Sequence, residues 1–229
     1  GTIKGKVKSF LNNDPLSGVN VQFYGTTIDN NSTDSAGSYN TEVAVGDYTI
    51  TYSKDGFWDE SLGVPLQTDG QTLQVRLMKM TPDNCTSGTT SGKITDAVSG
   101  DDVEGVYLEA RRGQDMDHRR VKATDTTDSS GEFSFNFSKF GTHTIYTSKS
   151  GYVDSRFYVT SCGNLGDQDG AISKNLPGPK SIRIVLSWPK TTPQTGKDLD
   201  SHIQVPDNSS GMLHLHWTNK IITYSATDN

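Results

Sequence analysis

Hydrophobic and polar residues alternate in short runs along most of this chain. Thr2-Ile3-Lys4-Gly5-Lys6-Val7 keeps a period of two, and so do Tyr48-Thr49-Ile50-Thr51-Tyr52 and Glu132-Phe133-Ser134-Phe135-Asn136-Phe137. Successive side chains of an extended strand point to opposite faces, so each run predicts a strand with one buried side. Turn-forming clusters separate the runs: Asn12-Asn13-Asp14-Pro15, Asp34-Ser35-Ala36-Gly37, Val98-Ser99-Gly100-Asp101 and Asp128-Ser129-Ser130-Gly131. A chain crowded with Thr, Ser, Gly, Asp and Asn suits short strands and turns and fits helices poorly. The expected fold class is all-β.

The pattern is written twice. Ser32-Thr33-Asp34-Ser35-Ala36-Gly37-Ser38-Tyr39 returns as Thr126-Thr127-Asp128-Ser129-Ser130-Gly131-Glu132-Phe133. Gly5-Lys6-Val7 answers Gly92-Lys93-Ile94, and Leu16 to Val21 answers Val103 to Leu108. Val45 to Ile50 answers Phe140 to Ile145, and Ser53 to Phe57 answers Ser148 to Tyr152. The order never changes, which marks a tandem repeat. An Asp side chain caps its own turn and Gly takes positive φ at the far end, so Asp-x-x-Gly sets the register of two strands. The aromatic that follows, Tyr39 or Phe133, is expected in the core. Short strands at this spacing predict a sandwich of about seven strands per unit. The expected units are residues 1–80, residues 84–177 with a loop insertion, and a partial β-domain at 181–229.

The residues quoted above, with Pro15-Leu16-Ser17-Gly18-Val19-Asn20-Val21 and Lys54-Asp55-Gly56-Phe57, resemble the carboxypeptidase regulatory-like domain. The first unit matches over nearly its whole length. The second departs from the pattern: His143 stands in place of the usual Tyr, and an insertion precedes its Asp-x-x-Gly turn. The resemblance implies a small transthyretin-like sandwich, related in shape to immunoglobulin domains. It also implies an accessory module of an extracellular protein without catalytic residues of its own. Fold follows from it better than function does.

The insertion shows in the spacing. Early blocks are about 87 residues apart and later ones about 94, a gain of roughly seven. It falls at Arg111 to Arg120, where Arg111, Arg112, Arg119 and Arg120 crowd together in a chain of net charge −6. Two readings stand: a docking surface for an acidic partner or an anionic glycan, or a solvated hairpin whose arginines pair with Asp115, Asp117 and their neighbours. The acidic balance argues against a general nucleic-acid binder. No apolar run is long enough to cross a membrane. Cys85 and Cys162 flank the second unit, and a disulfide there would tie its first strand to a late one; two buried thiols are the alternative. Five glycosylation sequons, at Asn30, Asn31, Asn84, Asn136 and Asn208, favour an oxidising compartment. The chain opens in a strand-like pattern without an initiator Met, as a processed or partial chain would.

Beyond Pro177-Gly178-Pro179, a linker signal, Ser181 to Trp188 reads as a strand. Lys197-Asp198-Leu199-Asp200-Ser201-His202-Ile203 and Met212-Leu213-His214-Leu215-His216 follow. This resembles the start of another extracellular β-domain type. About four strands are expected there, too few to close a sandwich, so either more chain follows or another molecule supplies the rest. If the strands pair with matching faces, Asp200, His202, His214 and His216 form a candidate Zn²⁺ or Cu²⁺ site; hydrogen bonding within the sheet is the alternative. Asp residues at alternate positions in Asn164 to Gly170 invite a Ca²⁺ reading but lack the remaining oxygen ligands, and a polar turn fits better. Trp58, Tyr24, Tyr39 and Tyr52 are either a sugar platform or core.

Nucleophile, zinc-protease and phosphate-loop motifs are absent from the sequence. No enzyme activity and no cofactor are expected. The expected role is an extracellular structural glycoprotein, a subunit of a surface fibre, appendage or matrix. It would assemble with copies of itself through strand edges and domain ends, with no nucleic acid and no membrane insertion. The alternatives are a carbohydrate- or protein-binding adhesion module, or an accessory region of a larger secreted peptidase.

Overall fold

The computed structural model describes residues 1–175 and the strands at 203–206 and 212–215. The described structure is all β. Residues 1–177 form one compact unit and residues 178–229 a second.

The first unit contains two sandwiches. The first is built from β1 (Thr2–Ser9), β2 (Asn20–Tyr24), β3 (Ile28–Ser32), β4 (Ser38–Glu42), β5 (Gly46–Ser53), β6 (Glu60–Leu66), β7 (Thr72–Gln74) and β8 (Met78–Met80). One sheet has the order β4-β1-β7, with β8 parallel to the end of β1; the other runs β3-β2-β5-β6. The second sandwich comprises β9 (Thr89–Asp96), β10 (Tyr107–Arg112), β11 (Val121–Thr126), β12 (Glu132–Asn136), β13 (Gly141–Ser148), β14 (Ser155–Ser161) and β15 (Gly170–Ile172). Its sheets are β12-β9-β15, with β15 parallel to β9, and β11-β10-β13-β14. The strand order repeats, except that β7 has only an isolated bridge, Thr90 to Leu165, as its counterpart.

The repeated turn repeats down to its hydrogen bonds. Asp34 Oδ1 accepts from Ala36 N and Ser38 N at 2.8 and 2.9 Å. Asp128 Oδ1 accepts from Ser130 N and Glu132 N at the same two distances. Gly37 and Gly131 both have φ of +69°, which glycine alone adopts freely. Their carbonyls receive Val7 N and Ile94 N, which pins each turn to the first strand of its sandwich.

Each sandwich has its own core. Ile3, Val7, Phe23, Tyr39, Ile50, Tyr52 and Met78 lead the first, and Ile94, Leu108, Phe133, Phe135, Ile145 and Val159 the second. Most strands alternate buried and exposed positions as the sequence pattern predicts; β4 and β12 are examples. Two strands do not. In β6 the residues Glu60, Ser61 and Leu62 are buried in succession, and in β13 Gly141 to Ile145 are all buried. Burial on both faces requires a further layer over the sheet, and these strands mark where the two sandwiches meet.

In the second unit, β16 (Ile203–Pro206) and β17 (Met212–Leu215) form an antiparallel pair.

Candidate functional site

The joint between the sandwiches is made by the inserted loop. Gly113 to Asp115 lie between the edge of one sheet and the start of another. On one side Gly63 N donates to Gln114 O at 2.9 Å and Gln114 N to Ser61 O at 2.8 Å, so the loop adds to the free edge of β6. On the other, Gly113 N donates to Thr142 O at 2.9 Å and Thr144 Oγ1 donates to Gly113 O at 2.7 Å. An edge left open in one sandwich is thus closed by backbone from the other. Met116 is fully buried in the joint. Gln114 Nε2 reaches Met78 Sδ at 3.7 Å, Trp58 meets Phe140 edge-on at 5.6 Å, and Arg76 lies 4.1 Å over the Tyr158 ring.

At the centre lies a buried ion pair. Glu60, on the first sandwich, has no exposed surface. Its carboxylate accepts from Arg112 Nη1 at 2.6 Å and from Thr142 N at 3.0 Å, both on the second sandwich. Arg112 also donates to Asp59 O at 2.6 Å and to Thr142 O at 3.1 Å. Arg119 donates to Ser61 Oγ at 3.0 Å and to Arg112 O at 3.3 Å. The pair sits directly on Gly141 (φ +100°), where any side chain would collide with the Glu60 carboxylate and the Arg112 guanidinium. Burial pushes the Glu60 carboxyl up to about 7, although Arg112, the Thr142 N–H and Arg119 all favour its charged form. Next to it His143 stacks on Phe137, with ring centroids 3.8 Å apart, and donates from Nδ1 to Gly141 O at 3.1 Å. Burial first, then the Arg112 charge, lower His143 to about 3, so this imidazole is neutral.

Three of the four arginines expected to offer a docking surface, Arg111, Arg112 and Arg119, are engaged within the chain. Arg112 and Arg119 build the joint. Arg111 donates to Asp117 O and to Arg119 O, and pairs with Glu109 at 3.1 Å. Arg120 is exposed. The reason is packing: the insertion lies across a sheet edge instead of projecting into solvent, and its guanidiniums satisfy carbonyls that this contact would otherwise leave dry. The hairpin reading holds in part: Arg111 bonds Asp117 and Glu109, whereas Asp115 pairs with Arg156 at 2.7 Å and accepts from Tyr158 Oη at 2.7 Å.

Cys85 and Cys162 form a disulfide that ties the connector between sandwiches to the end of β14. Asn30 is exposed on the edge strand β3, Asn84 is exposed beside the disulfide, and Asn136 is exposed at the end of β12. Asn31 is engaged: its Nδ2 donates to Asn40 O at 2.7 Å and to Thr41 Oγ1 at 3.0 Å. Asn208 lies outside the described residues. So do Asp200, His202 and His216 of the candidate metal site, while His214 is a position on β17 opposite Gln204. Among the described residues no group of three or more His, Cys, Asp or Glu is placed to hold a metal. In the Asn164 to Gly170 turn the polar side chains serve the backbone: Asn164 Oδ1 accepts from Thr89 N and Asp169 Oδ1 from Lys93 N. The four aromatics do not gather into a platform. Tyr39 and Tyr52 are core residues with their hydroxyls 2.7 Å apart, Trp58 belongs to the joint, and Tyr24 is exposed elsewhere.

Sequence reading missed Glu60, Gly63, Met116 and Gly141. One signal was present. Phe57-Trp58-Asp59-Glu60-Ser61 answers Tyr152-Val153-Asp154-Ser155-Arg156, so the repeats differ in charge at a strand start.

Residues 2–78 match the model of the carboxypeptidase regulatory-like domain. The match covers the first sandwich; the second shares its strand order. No curated protein matches the chain. Among solved structures, the Bacillus anthracis TIE protein is 13% identical with a TM-score of 0.32, over 76% of this chain and 34% of its own. The streptococcal ancillary pilin is 14% identical with a TM-score of 0.32, over 76% and 62%. The shaft pilin spaA from Lactobacillus rhamnosus GG is 15% identical with a TM-score of 0.30, over 77% and 99%. The chain thus spans about a third of the first of these structures and under two thirds of the second. Superpositions this loose say nothing about function.

Proposed function

We propose that this chain is a structural segment of an extracellular surface fibre, appendage or matrix, in which sandwiches are fixed in series to carry load. One observation carries this reading: the insertion that distinguishes the second unit from the first is used to weld the two together. A flexible string of modules needs only a linker. Here the second sandwich supplies backbone to a sheet edge of the first, and a buried ion pair sits between them. Such a joint holds one angle between domains and passes force from sheet to sheet. The disulfide and the exposed sequons at Asn30, Asn84 and Asn136 fit an oxidising, extracellular setting.

The same reading extends to copies of the chain. The edge strand β3 is short, polar and exposed, and carries the sequons at Asn30 and Asn31. Polar, blocked edges resist pairing. Assembly is therefore expected at the ends of the sandwiches, in a head-to-tail manner. The test is negative-stain microscopy of the native material, with light scattering on the same sample. Filaments whose repeat is a multiple of the two-sandwich length support the proposal. A monodisperse monomer at high concentration overturns it.

A further inference from the structure

The two sandwiches are an internal control for each other. Positions that face outward on the β2-β5-β6 sheet of the first have direct counterparts on β10-β13-β14 of the second. Asn20 opposes Ser53 and Gln22 opposes Thr51 in the first; Tyr107 opposes Ser148 and Glu109 opposes Tyr146 in the second. Ser61, paired with Thr51, corresponds to Arg156, paired with Tyr146. On the first sandwich these positions hold uncharged polar residues, of which Ser61 is covered by the joint. Two tyrosines, a glutamate and an arginine have replaced them on the second sandwich.

Part of that change belongs to the insertion. Tyr146 Oη donates to Asp117, Arg111 lies 5.3 Å from the Tyr146 ring centre, and Arg156 pairs with Asp115. Tyr107 has no such duty. It is 43% exposed and makes no side-chain hydrogen bond among the described residues, and the insertion does not reach it. With Glu109, Tyr146, Ser148, Asp154 and Arg156 it lines an open groove of about 450 Å³, within the usual size of a small-ligand site.

We infer that this groove binds a neutral oligosaccharide. Tyr107 and Tyr146 are diagonal neighbours on adjacent strands, about 7–8 Å apart by sheet geometry. Tyr107 offers a free amphipathic ring to the apolar face of a pyranose, and Tyr146, whose ring already carries Arg111, stands beside it. Around them carboxylates, guanidinium N–H groups and a serine hydroxyl alternate, as paired donors and acceptors for vicinal hydroxyls. Two of the three charges are matched within the chain, Glu109 with Arg111 at 3.1 Å and Arg156 with Asp115 at 2.7 Å, while Asp154 is exposed and has no ion-pair partner among the described residues. One residual carboxylate beside a tyrosine ring accepts from the hydroxyls of a polyol and disfavours a polyanion, and a cationic peptide is the competing occupant that the test separates. The groove adjoins the inserted loop through Tyr146 and Arg156, and its occupancy does not depend on the fibre reading.

The test is calorimetric titration of the full chain with cellohexaose, xylohexaose, chitohexaose and maltohexaose, with a heparin hexasaccharide and an Arg-rich peptide as charged probes. At least one neutral hexasaccharide is expected to bind at up to millimolar concentration. Tyr107→Asn, which restores the first sandwich's residue, should weaken that binding about tenfold or more and leave thermal stability unchanged. The inference is overturned if no neutral sugar binds, if only a charged probe does, or if binding survives Tyr107→Asn unaltered. An Asn20→Tyr variant serves as a control for non-specific stacking: equal gain of binding on the first sandwich would also overturn it.

Discussion

Thr33 and Thr127 each fasten two chain segments with one buried hydroxyl. Thr33 Oγ1 accepts from Val19 N at 2.9 Å and donates to Leu16 O at 2.5 Å. Thr127 Oγ1 accepts from Val106 N at 2.9 Å and donates to Val103 O at 2.7 Å. Thr127→Val keeps the shape and strands both backbone groups, so it should cost about 2–3 kcal/mol; a loss within error in urea denaturation would rule this out. The role of the Asp-x-x-Gly turn was legible in the sequence because capping is local chemistry. The Thr before it was not singled out, since its partners lie 14 to 24 residues away. Glu60 and His143 set a further expectation at this scale. The Glu60 carboxyl rises from 4.5 to about 7 on folding, so its contribution is complete below 4.5 and lost as pH rises through 7. The imidazole of His143 falls from 6.5 to about 3, so its contribution is complete above 6.5 and lost as pH falls through 3. Between 4.5 and 6.5 these slopes, about 1.4 kcal/mol per pH unit each, oppose and cancel. Stability should be nearly flat across that window. Glu60→Gln exposes the His143 slope and should lose stability on acidification from 6.5. His143→Gln exposes the Glu60 slope and should gain stability from pH 7 down to 4.5. Urea midpoints at three pH values decide it, and parallel curves for both variants would refute the assignment.

Strands β6 and β13 and the loop between β10 and β11 act as one element. The length and place of the insertion were legible from the repeat offset. Its partner was not, because a pattern of polar and apolar positions records burial within a sheet and not which sheet edge lies free nearby. Arginines in a loop read equally well as solvated or docked; only the third dimension brings Arg112 to Glu60 and Met116 against Gly63. Replacing residues 113–120 with the short connection used between β2 and β3 should leave both strand orders intact and free the sandwiches from each other. NMR relaxation would then show two correlation times where the parent shows one. A single correlation time in the shortened chain would mean that the Trp58–Phe140 and Arg76–Tyr158 contacts suffice. Met116→Ala is the milder probe, expected to cost about 2–5 kcal/mol as a buried large-to-small change.

Two separate cores joined by a buried seam raise the question of how many cooperative units residues 1–177 contain. Each core belongs to one sandwich, so without the seam two transitions are expected. With it, unfolding either sandwich exposes Met116 and leaves one half of the Glu60–Arg112 pair unmatched, which penalises any state with one sandwich folded. Breaking a buried pair from one side costs about 3–5 kcal/mol, enough to merge neighbouring transitions. A single calorimetric transition is therefore expected for the parent. Glu60→Ala should split it in two. The disulfide identifies the halves, because it ties the connector at Cys85 to the end of β14 at Cys162 and closes a loop, with a sequence separation of 77, that contains β9 to β14 of the second sandwich. Its reduction should remove about 4 kcal/mol from that sandwich alone. In Glu60→Ala the reductant should then lower one peak and leave the other in place, whereas in the parent it should lower the single peak as a whole. If Glu60→Ala still melts in one transition that moves as a unit on reduction, the coupling resides in the β6 edge contact, and the ion pair only sets the angle at which the two sandwiches meet.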